Sequence, residues 1–234
     1  MIADKLQQVR ARIAHACAVA GRPVQSVTLL VVSKTYTADA VREAFAAGEH
    51  RFGENYVQEG IDKIAALGDL RSALEWHLIG PLQSNKTRVV AESFDWVHSV
   101  DRVKIAQRLN EQRPSHLPPL QVCLQVNISG EASKSGLGPG EVAGVAREVA
   151  RLPRLRLRGL MAIPEPAADL ESQRAPHRAL RGLMQSLQGD GLALDTLSIG
   201  MSADLEAAIT EGATIVRIGS AIFGHRGAVS PSRA

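Results

Sequence analysis

The chain has 234 residues, of which 45% are hydrophobic and 3% aromatic, and its 27 Lys and Arg residues against 24 Asp and Glu residues give a formal net charge of +3. The hydrophobic fraction excludes a disordered chain, and the length fits one large domain or two small ones. Nucleic-acid binding is disfavoured because it needs clustered basic residues with aromatic side chains that stack on bases.

The N-terminal residues 1–21 predict an amphipathic helix, and they lack the continuous apolar segment of a signal peptide. No apolar run reaches the roughly 18–20 residues that cross a bilayer. Cys17 and Cys123 are far apart in apolar surroundings, which predicts buried free thiols rather than a disulfide. These features predict a soluble, cytoplasmic protein.

Eight apolar, β-branched runs alternate with helical patterns along the chain. They are TLLVVSK (28–34), HRFGENY (50–56), EWHLIG (75–80), WVHSV (96–100), LQVCLQVN (120–127), LRLRGLMAI (155–163), TLSIG (196–200) and TIVRIGSAIFG (214–224). Buried parallel strands read as continuous apolar runs, and the crossovers between them need helices, such as those predicted at 38–48 and 140–152. The pattern predicts an α/β fold: a closed (β/α)8 TIM barrel at about 26–225, with an extra N-terminal helix, within a single domain 1–234. A doubly wound open sheet is the alternative.

The most basic stretch, 151–158, alternates Arg with Leu, which predicts the entry to a strand with solvated or paired charges. In a barrel the active site lies at the carboxyl ends of the strands. Polar or distinctive residues at these ends are Lys34, Asn55, His77, Ser99, Asn127, Met161, Ser198 with Gly200, and Arg217 with Gly219.

Lys34 follows the first strand, which places its amine at the mouth of the barrel. A partly desolvated lysine there has a lowered pKa and favours Schiff-base chemistry with an aldehyde. A lysine that only extends into water from the strand end is the plainer interpretation.

The last two strand ends offer donors for a phosphate group. Ser202 is predicted as the N-cap of the helix after TLSIG, Gly219 allows close backbone approach, and Ser220 adds a hydroxyl. Barrel phosphate sites are frequently built here. Glycines that merely permit tight turns are an equal alternative.

A lysine facing a phosphate site would hold a phosphorylated aldehyde such as pyridoxal 5′-phosphate. Arg217 would then reach the pyridine nitrogen and, because arginine cannot accept a proton, leave that nitrogen unprotonated and the ring a weaker electron sink. The alternative for Arg217 is an ion pair in the barrel mouth, and a buried arginine needs an acceptor in either case.

Several long blocks of the sequence resemble the pyridoxal phosphate homeostasis proteins, single-domain relatives of the N-terminal barrel of alanine racemase. The blocks are LLVVSKTY (29–36), FGENYVQE (52–59), EWHLIGPLQSNK (75–86), NISGEASKSG (127–136), RGLMAIP (158–164) and LSIGMSADLEAAITEGATIVRIGSAIFG (197–224), within a similarity from about 5 to 225. The chain differs at TYTADA (35–40), where many relatives have Thr-Lys-Pro, and over 165–192.

The resemblance implies a fold-type III barrel that binds pyridoxal 5′-phosphate as an internal aldimine on Lys34. It also implies phosphate contacts from Ser202, Gly219 and Ser220, and a contact of Arg217 with the pyridine nitrogen. Four more residues fall in family motifs that line the cofactor: Asn55, His77, Met161 and Ser198. The family is associated with keeping free pyridoxal phosphate low and with vitamin B6 and amino-acid balance, without an accepted reaction.

Some assignments stay open at this point. His77 is either a core histidine or a residue facing the cofactor, and Ser84 is predicted to cap a helix. Lys86 is a surface charge or an anion contact. Asn127 and Lys134 flank a loop that is either a lid over the mouth or a plain surface loop.

Three functions compete: a non-catalytic carrier or buffer of pyridoxal phosphate, a weak amino-acid racemase, and a phosphosugar-type isomerase with Glu54 as base. In the racemases the second base is a tyrosine from a separate C-terminal domain, whereas about ten residues follow the final FG here. We therefore expect the carrier, a monomer with no metal, with PLP-dependent apoenzymes as candidate recipients.

Overall fold

In the computed structural model, eight parallel strands close into one barrel in chain order, with the last strand paired to the first. The structure describes residues 1–130 and 135–224. The strands are β1 (Thr28–Val32), β2 (Arg51–Glu54), β3 (Glu75–Leu78), β4 (Trp96–Val100), β5 (Leu120–Gln125), β6 (Leu155–Met161), β7 (Thr196–Ser198) and β8 (Ile215–Ile218). The predicted closed barrel is confirmed, and the open-sheet alternative is wrong.

Helices cover the outside of the barrel. They are α1 (Ile2–Val19), α2 (Ala38–Ala46), α3 (Val57–Ala66), α4 (Thr87–Ser93), α5 (Val103–Gln112), α6 (Val142–Val149), α7 (Leu170–Gly189), α8 (Leu205–Thr210) and α9 (Ser220–Phe223), with short 3-10 turns at Val24–Ser26, Gly68–Leu70 and Ser84–Lys86. The N-terminal helix α1 is the predicted addition to the barrel, and it packs on α8 and α9. Among the described residues, no helix is both long and apolar enough to cross a membrane.

The strands carry two cores because successive side chains point to opposite faces of the barrel wall. Leu29 and Val31 belong to the large outer core under the helices, whereas Leu30 and Val32 belong to a small cluster inside the barrel. That inner cluster is completed by Ile79, Trp96, Cys123, Met161 and Ile215. Four buried polar side chains lie with it: His77, His98, Ser198 and Arg217.

Local details confirm some predictions and correct others. Cys17 and Cys123 are buried free thiols, as expected. The last predicted strand, 214–224, is too long, because β8 ends at Ile218 and the chain then turns into α9.

Both predicted serine caps are wrong. α8 begins at Leu205 after Asp204, so Ser202 lies in the preceding loop. Ser84 starts a 3-10 turn that continues into α4, where Lys86 is the residue before the helix. In each case the extra turn moves the helix start two or more residues beyond the serine.

The basic stretch 151–158 leads into β6 as predicted. Arg158 forms a two-pronged ion pair with Asp195, with both N–O distances at 2.8 Å, and Arg156 is exposed. The charge of Arg158 is therefore paired and that of Arg156 is solvated.

Candidate functional site

The ends of β1 and β8 meet at the mouth of the barrel. Val31 pairs with Ile218, so Gly219 lies beside Val32. A Cβ atom added to Gly219 would lie 2.8 Å from the Val32 carbonyl oxygen, which explains why only glycine fits this approach. Lys34, half-buried, follows in the turn after β1. Lys34 therefore follows a strand whose last residue lies beside the glycine that precedes α9.

The turn that presents Lys34 is strained. Thr35 has a φ of +66°, a left-handed conformation that β-branched residues rarely adopt. Its backbone N–H donates to the Glu59 carboxylate on α3, and the Tyr36 N–H donates to the Ser33 carbonyl at 3.1 Å. Strain of this kind persists only when surrounding contacts impose it. Glu59 is one such contact.

A buried lysine holds Glu59 in place. Lys63 donates to the Glu59 Oε1 at 2.6 Å, to the Glu54 Oε1 at 2.8 Å and to the Ser33 carbonyl at 2.6 Å. We call Lys63, Glu54, Glu59 and Ser33 the Lys63 cluster. The cluster supports both ends of the turn that carries Lys34, through the Ser33 carbonyl on one side and the Thr35 N–H on the other. No pattern in the sequence indicated this cluster.

Glu54, considered at first as an isomerase base, belongs to this support. Its side chain is fully buried and accepts a hydrogen bond from the Ser33 hydroxyl at 2.5 Å as well as from Lys63. Burial raises the pKa of Glu54, and the Lys63 ammonium opposes that rise. A carboxylate enclosed in this way has no access to a substrate at the barrel mouth.

Arg217 spans the ends of β6, β7 and β8. Its guanidinium donates to the Ser198 carbonyl, to the Ser198 hydroxyl at 2.8 Å and to the Ala162 carbonyl at 2.9 Å. Burial lowers the pKa of Arg217 to about 10, so the group stays cationic at neutral pH. These contacts use three of the five N–H donors of a guanidinium. The other two have no protein acceptor among the described residues.

The loop from Gly200 to Asp204 carries Ser202, which the sequence predicts as a phosphate contact. Gly200 has a φ of +94°, and a Cβ atom there would lie 2.6 Å from the Ala208 Cβ. The Asp204 carboxylate folds the loop by accepting from the Met201 N–H at 2.7 Å, while its other oxygen lies 2.9 Å from His177 Nε2. A buried histidine on α7 thus fixes the loop.

Helix α1 braces the same loop from outside. Arg12 donates to the Ser202 carbonyl at 2.7 Å and forms a two-pronged ion pair with Glu206 on α8 at 2.5 and 2.6 Å. Arg12 thus holds the Ser202 carbonyl towards α1, and Ser202 caps no helix. The N-terminal helix is therefore a structural part of the candidate site.

The remaining predicted residues are divided between the mouth and the barrel interior. Asn55 lines a cavity of about 270 Å³ at the mouth together with Asn127, and a Cβ atom at Gly80 would overlap the Asn55 carbonyl at 2.0 Å. Met161 is fully buried in the inner cluster. Ser99 is also buried.

His77 lies inside the barrel, below the mouth. Its Nδ1 lies 2.8 Å from His98 Nε2, and its Nε2 lies 2.9 Å from the Glu75 carboxylate. His98 and Glu75 were not among the predicted site residues. Lys134 lies outside the described residues, as does His225, the end of the predicted barrel.

The two tyrosines are placed differently. The Tyr36 hydroxyl donates to the Gly224 carbonyl at 2.6 Å, and its ring stacks on Phe223 with centroids 4.5 Å apart. Tyr56 precedes α3 and is 59% exposed. The Tyr36 hydroxyl is therefore committed to the backbone.

The donors at the mouth match the groups of pyridoxal 5′-phosphate. Lys34 is a primary amine for an aldehyde, and Arg217 is a cationic donor for a ring nitrogen. Backbone N–H groups at the start of a helix have no partner within that helix and can bind phosphate oxygens. Within the described part of the chain, no group of three or more His, Cys, Asp or Glu residues is placed to hold a metal ion.

Comparisons with known proteins agree with this chemistry. Residues 5–227 match the family profile of the alanine racemase N-terminal domain. The pyridoxal phosphate homeostasis protein of Pseudomonas aeruginosa is 61% identical over 231 residues, which are 99% of this chain and 98% of that protein. That of Escherichia coli K12 is 55% identical over 226 residues, 96% and 97% of the two chains.

Solved structures give the same result. PipY of Synechococcus elongatus PCC7942 with PLP bound is 38% identical, with a TM-score of 0.84 over 96% of this chain and all of PipY. An alanine racemase of Clostridium difficile shares the fold at 16% identity and a TM-score of 0.73, over 97% of this chain and 58% of the racemase. This chain belongs to the pyridoxal phosphate homeostasis protein family, within the wider family of the alanine racemase N-terminal domain.

Proposed function

We propose that this protein binds pyridoxal 5′-phosphate as a Schiff base on Lys34 and carries or buffers it in the cytoplasm, without efficient catalysis. One observation carries the proposal: a half-buried lysine follows β1, whose last residue Val32 lies beside Gly219, and the donors of Arg217 lie on the neighbouring strand β8. The PLP bound in PipY, a relative matched over its whole length, supports it.

Each end of the ligand would meet a different group of the chain. The N–H groups of the Ser202 loop and of the Gly219–Ser220 turn bind phosphate oxygens, and Arg217 donates to the pyridine nitrogen. Pyridoxal 5′-phosphate supplies an aldehyde that condenses with primary amines and a ring that withdraws electrons. Lys34 holds the aldehyde carbon, and Asn55, Met161 and Ser198 line the space around the ring.

Two contacts favour holding over racemisation. Arg217 is a permanent donor and leaves the ring nitrogen unprotonated, which weakens the electron withdrawal that helps remove an α-proton. A two-base racemisation also needs an acid on the second face, and the nearer tyrosine, Tyr36, has its hydroxyl bonded to the Gly224 carbonyl. We propose that PLP-dependent apoenzymes receive the cofactor.

Titration of the purified protein with pyridoxal 5′-phosphate, followed by borohydride reduction and peptide mass spectrometry, tests the binding proposal. We expect a visible absorption band and a reduced adduct on Lys34. Lys34→Ala should lose the adduct, whereas Lys104→Ala, at an exposed position of α5, should keep it. An adduct on another lysine would refute the assignment to Lys34. Light scattering on the same sample checks separately whether the protein is the expected monomer.

The absence of efficient catalysis has its own assay. Exchange of the α-proton of L- and D-alanine in deuterated buffer should stay far below about 1 per second, a common enzymatic rate, with Lys34→Ala as blank. Exchange at that rate would restore the racemase function. Reactivation of a PLP-dependent apoenzyme by the loaded protein, faster than dissociation alone allows, is the result expected of a carrier.

A further inference from the structure

A chain of four hydrogen bonds crosses the interior of the barrel from Arg217 to Glu75. Arg217 donates to the Ser198 hydroxyl at 2.8 Å, and that oxygen lies 2.8 Å from His98 Nδ1. His98 Nε2 lies 2.8 Å from His77 Nδ1, and His77 Nε2 lies 2.9 Å from the Glu75 carboxylate. Each member except Glu75 is at most 4% exposed. The five residues come from β3, β4, β7 and β8.

The chemistry of the two ends fixes the direction of every bond. A guanidinium only donates, so the Ser198 hydroxyl accepts from Arg217 and must give its own proton to His98 Nδ1. His98 then carries its proton on Nε2 and donates to His77 Nδ1. His77 in turn carries its proton on Nε2 and donates to Glu75. Each of the four hydrogen bonds then has one donor and one acceptor, with both histidines neutral.

The opposite arrangement leaves groups unsatisfied. If His98 carried a proton on Nδ1, Ser198 would accept from both His98 and Arg217, and its hydroxyl proton would have no acceptor among the described residues. Burial, then the nearby His77 and Arg217, hold the pKa of His98 well below its usual range. Burial likewise lowers the pKa of His77 against the opposing effect of Glu75. Both rings are therefore neutral at neutral pH.

Packing prevents the rings from turning over. His77 stacks on Trp96 with centroids 5.2 Å apart and an angle of 11°, and His98 contacts the same indole at 5.6 Å. At the end of the chain, burial would raise the pKa of Glu75, but the hydrogen bond from His77 and the charge of Arg51 hold it below its usual range. Glu75 is thus an anionic acceptor for the hydrogen bond from His77 Nε2.

We propose that His98, His77 and Glu75 are positioning residues for Arg217, which hold its guanidinium through Ser198 and leave two of its donors for a ligand. This inference rests on the proposed function, because its value lies in presenting Arg217 to the pyridine nitrogen. It also gives His77 a role at a distance from the cofactor. Glu75, 41% exposed at the other end of the barrel, anchors the chain without contact with a ligand.

Nitrogen-15 NMR of histidine in the ligand-free protein at pH 7 tests the chain directly. We expect both rings to be neutral with the proton on Nε2. Ser198→Ala should change the signals of His98 and then of His77, because the first link is lost. An Nδ1 proton or a charged ring at either histidine, or unchanged signals in Ser198→Ala, would refute the chain.

Binding of pyridoxal 5′-phosphate tests the positioning role. His98→Leu, which keeps an apolar volume and removes both bonds, should weaken affinity about tenfold or more, as loss of a supporting residue does at metal sites. His98→Gln keeps one acceptor and one donor and should recover much of that loss. Leu109→Ala, in the outer core of α5, should lower stability without changing affinity.

The outcomes separate the two claims. If the wild-type protein does not bind pyridoxal 5′-phosphate, the proposed function fails and the positioning role fails with it. If the wild type binds and His98→Leu binds equally well, only the positioning role is refuted. Should His98→Leu not fold, Ser198→Ala and the NMR measurement still decide the matter.

Discussion

Replacement of Lys63 by methionine tests whether the buried lysine holds the turn of Lys34. The Lys63 side chain is 7% exposed and donates to three acceptors, one of which belongs to the fully buried Glu54. Removing one partner of a buried ion pair leaves an uncompensated charge and costs about 3–5 kcal/mol. We expect Lys63→Met to lower the free energy of unfolding by that amount, or Tm by roughly 6–20 °C for a chain of this size.

Affinity for pyridoxal 5′-phosphate should fall in the same variant. Glu59, which accepts a hydrogen bond from the Thr35 N–H, loses its ion pair with Lys63. The strained backbone of Thr35 is then free to relax. Such relaxation moves Lys34 away from the Gly219 turn.

A double-mutant cycle separates the buried charge from the lost packing. Glu54→Gln still accepts from the Ser33 hydroxyl but carries no charge, so Lys63→Met in the Glu54→Gln background should cost about 2 kcal/mol less than in the wild type. Lys104→Met, at an exposed site on α5, is the matched control and should stay within about 0.5 kcal/mol. Urea denaturation measures all four variants. A loss below 1 kcal/mol in Lys63→Met, or no relief in the double variant, would refute the reasoning about the cluster.

Three further predictions follow from single residues. Gly219→Ala should destabilise the protein by about 1–3 kcal/mol and weaken cofactor binding, because the added Cβ meets the Val32 carbonyl. Gly182→Ala on α7, where the added Cβ meets open space, should instead stabilise the protein by about 0.5–1 kcal/mol in the same denaturation assay. Thr35→Gly should stabilise by about 0.5–1 kcal/mol, because relief of the left-handed strain exceeds the added entropy of the unfolded chain; a lower denaturation midpoint would contradict this. Burial would raise the pKa of Asp204, but hydrogen bonds from His177 and the Met201 N–H hold it below its usual range. The stabilisation from ionised Asp204 is thus present above the unfolded pKa of about 3.9 and is lost as pH falls through the folded pKa. Asp204→Asn should therefore be less stable than the wild type at pH 7 and should lose less stability on acidification. Parallel curves of stability against pH for the two proteins would exclude this linkage.

The fold was predictable from sequence because most positions of the strands are buried. The run TLLVVSK contains four consecutive apolar residues, too many for a half-exposed strand, and eight apolar runs that alternate with helical patterns leave few architectures. Their carboxyl ends also located Lys34, Arg217 and Gly219, since strand ends in a parallel barrel meet at one rim. Helix starts were less predictable, as Ser202 and Ser84 show, because a local 3-10 turn or an Asp side chain can move a start by several residues.

The interior network could not be predicted, because it depends on the pairing of distant strands. His98 contacts Ser198 across 100 positions of the chain, and His77 meets His98 across 21. One signal was present: His98 lies two residues after Trp96 within WVHSV, so both side chains point to the same face of the strand. The sequence could have indicated a polar residue inside the barrel, but not its partner.

The three contact points expected of the cofactor have one feature in common. Each is held by buried or half-buried polar or ionic side chains: Lys63 at the Lys34 turn, the His98 chain at Arg217, and Asp204 with Arg12 at the Ser202 loop. Burying such groups costs free energy that apolar residues of similar volume would not cost. That cost is understandable where the position of a reactive or charged group has to be fixed, because a hydrogen-bonded pair restricts orientation whereas apolar packing restricts volume. A site that held its ligand by phosphate contacts alone would need only the third of these supports. The presence of all three supports the proposal that the amine, the ring nitrogen and the phosphate are each held at a defined position.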